Sequence, residues 1–244
     1  MQLLLNLDDR THELTDIHQR LKRHFGLQGP YRALDPVSQL VMALIGGKTR
    51  GEVSLSAFGG LVARFGHWEA VRDAPVAEIY EVIRGVTFAE LKAPRLKASL
   101  LAVTRAHGAL TLSPLEDMTV GDALAWLERL PGVGRKVAAA TLNFSTLRKA
   151  ALVIDSHHLR VLRRLGYVGP RTGIAQAYDL VMPLLPESWT ARDFDQHHQL
   201  MKVLGQEICR NGVPICERCP LRSVCATAQR DGRRRHDAGQ RRQA

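Results

Sequence analysis

Residues 130–136 read LPGVGRK, and the segment VIDSHH that follows carries Asp155. Ahead of this string, TVGDALAWLERL pairs Thr119 with Asp122 in a capping-box pattern and repeats Val120, Leu124, Leu127 and Leu130 at helical spacing. Leu130 closes that helix. Pro131, Gly132, Val133 and Gly134 form a tight turn that needs unusual backbone angles and little side-chain bulk, and KVAAATLNF opens a second helix. Backbone N–H groups at such a helix mouth point outward, where the partial positive charge of the helix start favours a phosphate. A short G-x-G between helices also serves as a plain connector. Here Arg135 and Lys136 add cationic charge directly behind the turn.

Lys136 invites a chemical reading beside the electrostatic one. An amine is a nucleophile only when neutral, and an ordinary lysine, with a pKa of about 10.4, is protonated at neutral pH. The first turn of a helix and the neighbouring Arg135 both supply positive potential, the usual activation of a Schiff-base lysine. The simpler role is contact with a phosphate. Asp155 likewise has two readings: an N-cap for the helix that follows, and a carboxylate able to face a developing sugar cation.

The rest of the chain reads as helices. DPVSQLVMALIGG places Asp35 as N-cap, Pro36 at the first helical position and Gly46-Gly47 at the stop. Apolar stripes run through 54–65 (Leu55, Phe58, Leu61, Val62, Phe65), 75–84, 91–107, 156–165, 173–185 and 190–208. ALVID at 151–155 is the only strand-like run and is short enough for an extended linker. The expected fold class is all-α, with roughly nine or ten helices. No apolar run approaches the roughly 20 residues of a membrane span, and the N-terminal MQLLLNL lacks the features of a signal peptide, so a cytoplasmic protein is expected.

The formal net charge of +10 points toward a polyanion such as nucleic acid. Residues 229–244 hold six Arg and two Asp, +4 of that total, which leaves +6 on the remainder. This terminal stretch has no apolar periodicity and reads as a basic disordered tail. All four cysteines fall in one pattern, C-x6-C-x2-C-x5-C, at Cys209, Cys216, Cys219 and Cys225. Two disulfides do not suit a chain without a secretion signal. A four-cysteine zinc site and a [4Fe-4S] cluster both fit the count, and the spacing alone does not separate them.

The LPGVGRK turn, VIDSHHLRV about twenty residues later and the four-cysteine pattern occur in the order and spacing of the endonuclease III family of DNA glycosylases, which the chain resembles from about residue 35 to Cys225. The resemblance implies a two-lobed helix-hairpin-helix glycosylase fold. Residues 35–149 would form a six-helix barrel lobe, and 1–34 with 150–228 an iron-sulfur lobe, with a lesion site in the groove between them. It implies Lys136 and Asp155 as catalytic residues and the four cysteines as ligands of a [4Fe-4S] cluster. Double-stranded DNA with damaged bases or abasic sites would be the partner, contacted through Lys48, Gly132, Val133, Gly134, Arg135 and His157. The expected protein is a monomer, nucleoid-associated if bacterial, and a bifunctional glycosylase and abasic-site lyase for oxidised pyrimidines.

Two departures bear on the lesion. Lys48, in Gly46-Gly47-Lys48-Thr49-Arg50-Gly51, stands where the family has the glutamine that fills the hole left by a flipped base. VTFAELKAPRLKA runs several residues longer than the family's short second wedge before its Lys-Ala, matched here by Lys97-Ala98. Weak or narrow activity on damaged bases is expected from these changes. Two other readings stand beside the leading one: a non-enzymatic DNA-damage binding iron-sulfur protein, and an adenine glycosylase for mismatches, although that group typically carries Ser at the Lys136 position and Glu near Ala43.

Overall fold

The structure, a computed structural model, describes residues 2–29 and 33–230, with side chains from residue 9 onward. The described residues are helical with no strand, apart from one isolated bridge between Leu34 and Ser145. They fall into two compact units, one spanning Tyr31–Ala151 and the other combining Met1–Pro30 with Leu152–Ala244. The expected all-α class is therefore met. The tail read at 229–244 lies outside the described residues except for Gln229 and Arg230, which are helical, with the Gln229 N–H donating to Cys225 O at 3.0 Å.

The Tyr31–Ala151 unit carries α2 (Pro36–Gly46), α3 (Gly51–Phe65), α4 (Trp68–Asp73), α5 (Val76–Ile83), α6 (Ala89–His107), α7 (Val120–Glu128) and α8 (Arg135–Phe144). Its caps are those the sequence announces. Asp35 accepts from the Val37 and Ser38 N–H groups, and Thr119 accepts from the Asp122 N–H at 3.1 Å while its hydroxyl donates to the Asp122 carboxylate at 2.7 Å. Helix α2 packs on α8, whose Ala138, Ala139 and Ala140 are buried and small enough to let it approach closely. Leu40, Ile45, Leu61, Ile79, Ile83, Leu96, Leu100 and Leu127 complete this core, each contributing about 2 kcal/mol on burial.

The apolar stripe read along α3 is only partly a core face. Leu61 is buried as read, but Leu55 and Val62 are 64% and 43% exposed, and Ser54 and Ala57 are buried in their stead. The long second wedge is not a longer loop. Phe88 turns the chain in the left-handed region (φ 60°), and everything from Ala89 onward belongs to α6.

The other unit carries α1 (Gln2–Phe25), α9 (Ser156–Leu165), α10 (Ile174–Val181) and α11 (Ala191–Glu207), followed by the cysteine segment with two short 3-10 turns. Helices α9 and α11 lie so close that a Cβ on Gly205 would stand 2.8 Å from the Cβ of His157. Helix α1 joins them through Leu14, Ile17 and Leu21, all buried. Residues 151–155 are extended and buried up to Ile154, a linker rather than a strand.

Candidate functional site

Lys136 sits in the first turn of α8, immediately behind the hairpin from α7. Gly132 holds φ +80°, where a side chain is strained, and a Cβ there would meet the Cβ and Cδ of Arg95 at 3.0 Å. Gly134 is the N-cap of α8, and no side chain caps that end. Ser99 on α6 steadies the turn by donating to Pro131 O at 2.7 Å. Val133 is buried, so only its backbone can face outward. Lys136 itself is half-buried.

Arg135 does not stand as an open cation. Its Nε donates to Glu128 Oε1 at 2.5 Å, and the two side chains are 17% and 28% exposed. Lys48, in the left-handed region (φ 56°), is exposed and carries its ammonium over the Phe88 ring, 5.6 Å from the centroid.

The loop that carries Lys48 is tied down. Lys92 Nζ donates to Ile45 O at 2.7 Å, Gly47 O at 2.5 Å and Thr49 Oγ1 at 3.2 Å, while the Thr87 N–H donates to Thr49 Oγ1 at 3.2 Å. Neither Gly46 nor Gly47 adopts a positive φ. Lys92 is a site residue that sequence reading missed, although the string LKAPRLKA holds two Lys-Ala pairs. The pair selected from sequence faces elsewhere, with Lys97 Nζ donating to Ala74 O at 2.6 Å behind α4.

In the other unit Asp155 is the N-cap of α9, its Oδ1 accepting from the His158 N–H at 2.8 Å. Burial opposes its charge. The neighbouring His198, the His158 N–H bond and the other histidines outweigh that and hold the carboxyl below the usual carboxylate range. Of these neighbours His158 is held uncharged at neutral pH, burial pushing its imidazole down to about 4. His157, also half-buried on α9, accepts from Arg160 Nη2 at 3.1 Å.

The cysteine segment hangs from α9. Arg160 donates to Cys209 O at 2.9 Å and Gly205 O at 2.6 Å. One turn on, Arg164 donates to Cys209 Sγ at 3.3 Å, Arg210 O at 2.7 Å and Gly212 O at 2.9 Å. Cys209, Cys216, Cys219 and Cys225 line one small pocket, together with Ile208, Ile215 and Arg164. Burial pushes the Cys219 thiol up to about 11, with the other three cysteines adding to the rise. The four thiols line this one pocket with a cation donating to one sulfur, but among the described residues no three His, Cys, Asp or Glu side chains converge as a group that could hold a metal ion. The spacing of Arg160 and Arg164, one helical turn apart, was the available signal for these two holders of the loop.

A hairpin of two helices with a lysine behind its glycine turn in one unit, and a four-cysteine pocket in the other, define the class: an all-α helix-hairpin-helix glycosylase fold of two units. No family model matches the chain. The endonuclease III of Thermotoga maritima is 28% identical over 203 residues, 83% of this chain and 88% of that protein. The DNA glycosylase/AP lyase ROS1 of Arabidopsis thaliana is 24% identical over 171 residues, 65% of this chain but 12% of that much longer protein. A solved endonuclease III in non-covalent complex with DNA superposes with a TM-score of 0.75 at 19% identity, covering 91% of this chain and 98% of that one. Over most of its length the chain is similar to endonuclease III proteins, and its fold is that of the solved endonuclease III.

Proposed function

We propose that this chain is a base-excision repair DNA glycosylase with abasic-site lyase activity, acting on abasic sites and, more weakly, on oxidised pyrimidines in double-stranded DNA. The observation that carries the reading is the Lys136 amine in the first turn of α8, behind a glycine hairpin whose helix end no side chain caps. The names of its relatives, endonuclease III and DNA glycosylase/AP lyase, support it. The +10 net charge supports a DNA partner, and so does the outward-facing backbone of the hairpin.

In this reading the hairpin N–H groups other than that of Val133, which donates to Leu130 O at 3.1 Å, hold a backbone phosphate while the target nucleotide leaves the stack, at a cost of a few kcal/mol. The neutral Lys136 Nζ attacks the sugar C1′. The bond from C1′ to the base breaks and its electron pair leaves with the base, which takes up a proton. The Asp155 carboxylate, kept charged by its hydrogen bond, stabilises the positive charge on the sugar in the transition state and assists proton transfer. The attached nitrogen then loses a proton to O4′ as the C1′–O4′ bond opens to a Schiff base, which acidifies the C2′ proton, and loss of that proton expels the 3′ phosphate and nicks the strand. Lys48 and His157 belong to the DNA-contacting set.

Cys209, Cys216, Cys219 and Cys225 would hold a [4Fe-4S] cluster, which when bound cross-links the segment after α11. The chemistry at the sugar runs on side chains alone.

Borohydride trapping on duplexes carrying an abasic site, thymine glycol or an undamaged pair tests the proposal. Wild type should form a covalent adduct on the abasic duplex, and Lys136→Gln should form none while still shifting the duplex in a gel. A Lys136→Gln adduct at the wild-type level would show that another amine does the chemistry. Purified protein should be yellow-brown and hold about four irons per chain. Colourless protein with one stoichiometric zinc would overturn the cluster.

A further inference from the structure

Asp155 can face a sugar cation only from a fixed place, and its N-cap bond alone does not fix it. That bond, from the His158 N–H to Asp155 Oδ1 at 2.8 Å, ties the carboxylate to α9 but leaves the start of α9 to be placed. Leu152, Val153 and Ile154, which lead into it, are buried and belong to no strand. Their hold comes from elsewhere.

Helix α11 supplies it at two points. Val153 O accepts from two imidazoles, His158 Nδ1 at 3.1 Å and His198 Nδ1 at 2.7 Å. A carbonyl only accepts, so both rings carry a proton on Nδ1. His158 belongs to α9 itself, whereas His198 stands on α11, 45 residues from Val153 in sequence and buried, so that its bond is shielded from water. Seven residues further on, two turns along the same face of α11, Gly205 meets α9 again. A Cβ there would stand 2.8 Å from His157 Cβ and 3.2 Å from His157 O, so a larger residue would push the two helices apart. Arg160 closes this contact by donating to Gly205 O at 2.6 Å. His198 and Gly205 thus grip the chain two residues before Asp155 and two residues after it.

Resting on the proposed role of Asp155, we infer that His198 is its positioning residue, the side chain that pins the Val153 carbonyl to α11 and, with the Gly205 contact, sets where the carboxylate stands. His198 acts through the backbone and not on the sugar.

Amide exchange in the full-length protein, with isotope-labelled histidine, reads this placement without DNA. His198→Leu removes the donor to Val153 O, and His198→Asn keeps one, because its amide nitrogen is bonded to Cγ just as Nδ1 is. In His198→Leu the His158 amide, which the Asp155 carboxylate holds, should exchange about tenfold faster while the His197 amide inside α11 keeps its protection. Both should stay near wild type in His198→Asn. Single-turnover release of thymine glycol should slow about tenfold in His198→Leu with duplex affinity unchanged, and recover in His198→Asn. Because the effect runs through Asp155, adding His198→Leu to Asp155→Asn should slow that protein by less than about twofold. An unmoved His158 amide, a loss that multiplies in full in the Asp155→Asn background, or a His198→Asn protein as slow as His198→Leu would each overturn the inference. If His198→Leu fails to fold, His198→Gln, whose amide lies one bond too far out, takes its place. An Asp155→Asn protein that releases base as fast as wild type would instead sink the catalytic reading of Asp155, and the His158 amide would still decide whether His198 positions it.

Discussion

Gly132 and Gly134 lie two residues apart in the same turn and should respond to a methyl group in opposite ways. Gly132 holds φ +80° with Arg95 at 3.0 Å, whereas Gly134 has φ −109° and open space around it. Gly132→Ala should cost about 1–2 kcal/mol and lower both the melting temperature and duplex affinity, while Gly134→Ala should melt within about 0.5 kcal/mol of wild type. Equal melting of the two would mean that the left-handed turn is not required. Lys48 decides a different matter. An amide can both donate to and accept from the edge of an orphaned base, but an ammonium only donates, and this one already rests over Phe88. Abasic-strand cleavage should therefore outpace release of thymine glycol in single-turnover assays, and Lys48→Gln should narrow the gap. A wild type that removes thymine glycol as fast as it cuts an abasic site would refute the argument.

Among the helices, α9 carries the most separate tasks. Its N-cap is Asp155, its first turn holds His157, its buried face packs on α11, and its two inward arginines hold the cysteine segment. Asparagine caps a helix about as well as aspartate. Asp155→Asn should accordingly melt within about 1 kcal/mol of wild type yet release bases slower by orders of magnitude; a large loss of stability with normal base release would leave Asp155 as a cap alone. Arg160 and Arg164 differ in what they leave behind. Gly205, one of Arg160's acceptors, is buried, so Arg160→Met should cost about 1–3 kcal/mol. The carbonyls held by Arg164 belong to the exposed residues Arg210 and Gly212, which water can satisfy, so Arg164→Met should destabilise less and show mainly as faster iron loss on dilution into chelator.

At the scale of the whole molecule, the chain begins in one unit with α1, builds the other between residues 31 and 151, and returns at Leu152 to complete the first. Completion assembles a buried ring cluster. His197 lies 5.6 Å from His18, 5.4 Å from His158 and 5.3 Å from Trp189, and neither of its ring nitrogens has a hydrogen-bond partner among the described residues. Burial holds His18 and His197 below the usual histidine range and His158 at about 4. Because these folded-state values lie below the unfolded one of about 6.5, the unfolded chain takes up more protons as the pH drops. Stability is therefore fully present above about pH 6.5 and is lost from there down toward about pH 4, with His158 alone contributing on the order of 3 kcal/mol. Melting temperatures from pH 8 to pH 4 should fall across that window, and His197→Leu should flatten the fall; an unchanged slope would place the acid sensitivity elsewhere. The hairpin, the caps at Asp35, Thr119 and Asp155, and the single cysteine cluster were legible from sequence because each depends on residues a few positions apart. Turn geometry, cap hydrogen bonds and the close spacing of four cysteines are short-range features. The pairing of Arg135 with Glu128, the exposure of Leu55 and Val62, the loop clamp by Lys92 and the histidine cluster were decided only by tertiary structure. Each sets a side chain against a group on another helix, and no periodicity along one segment encodes which partner packing will bring.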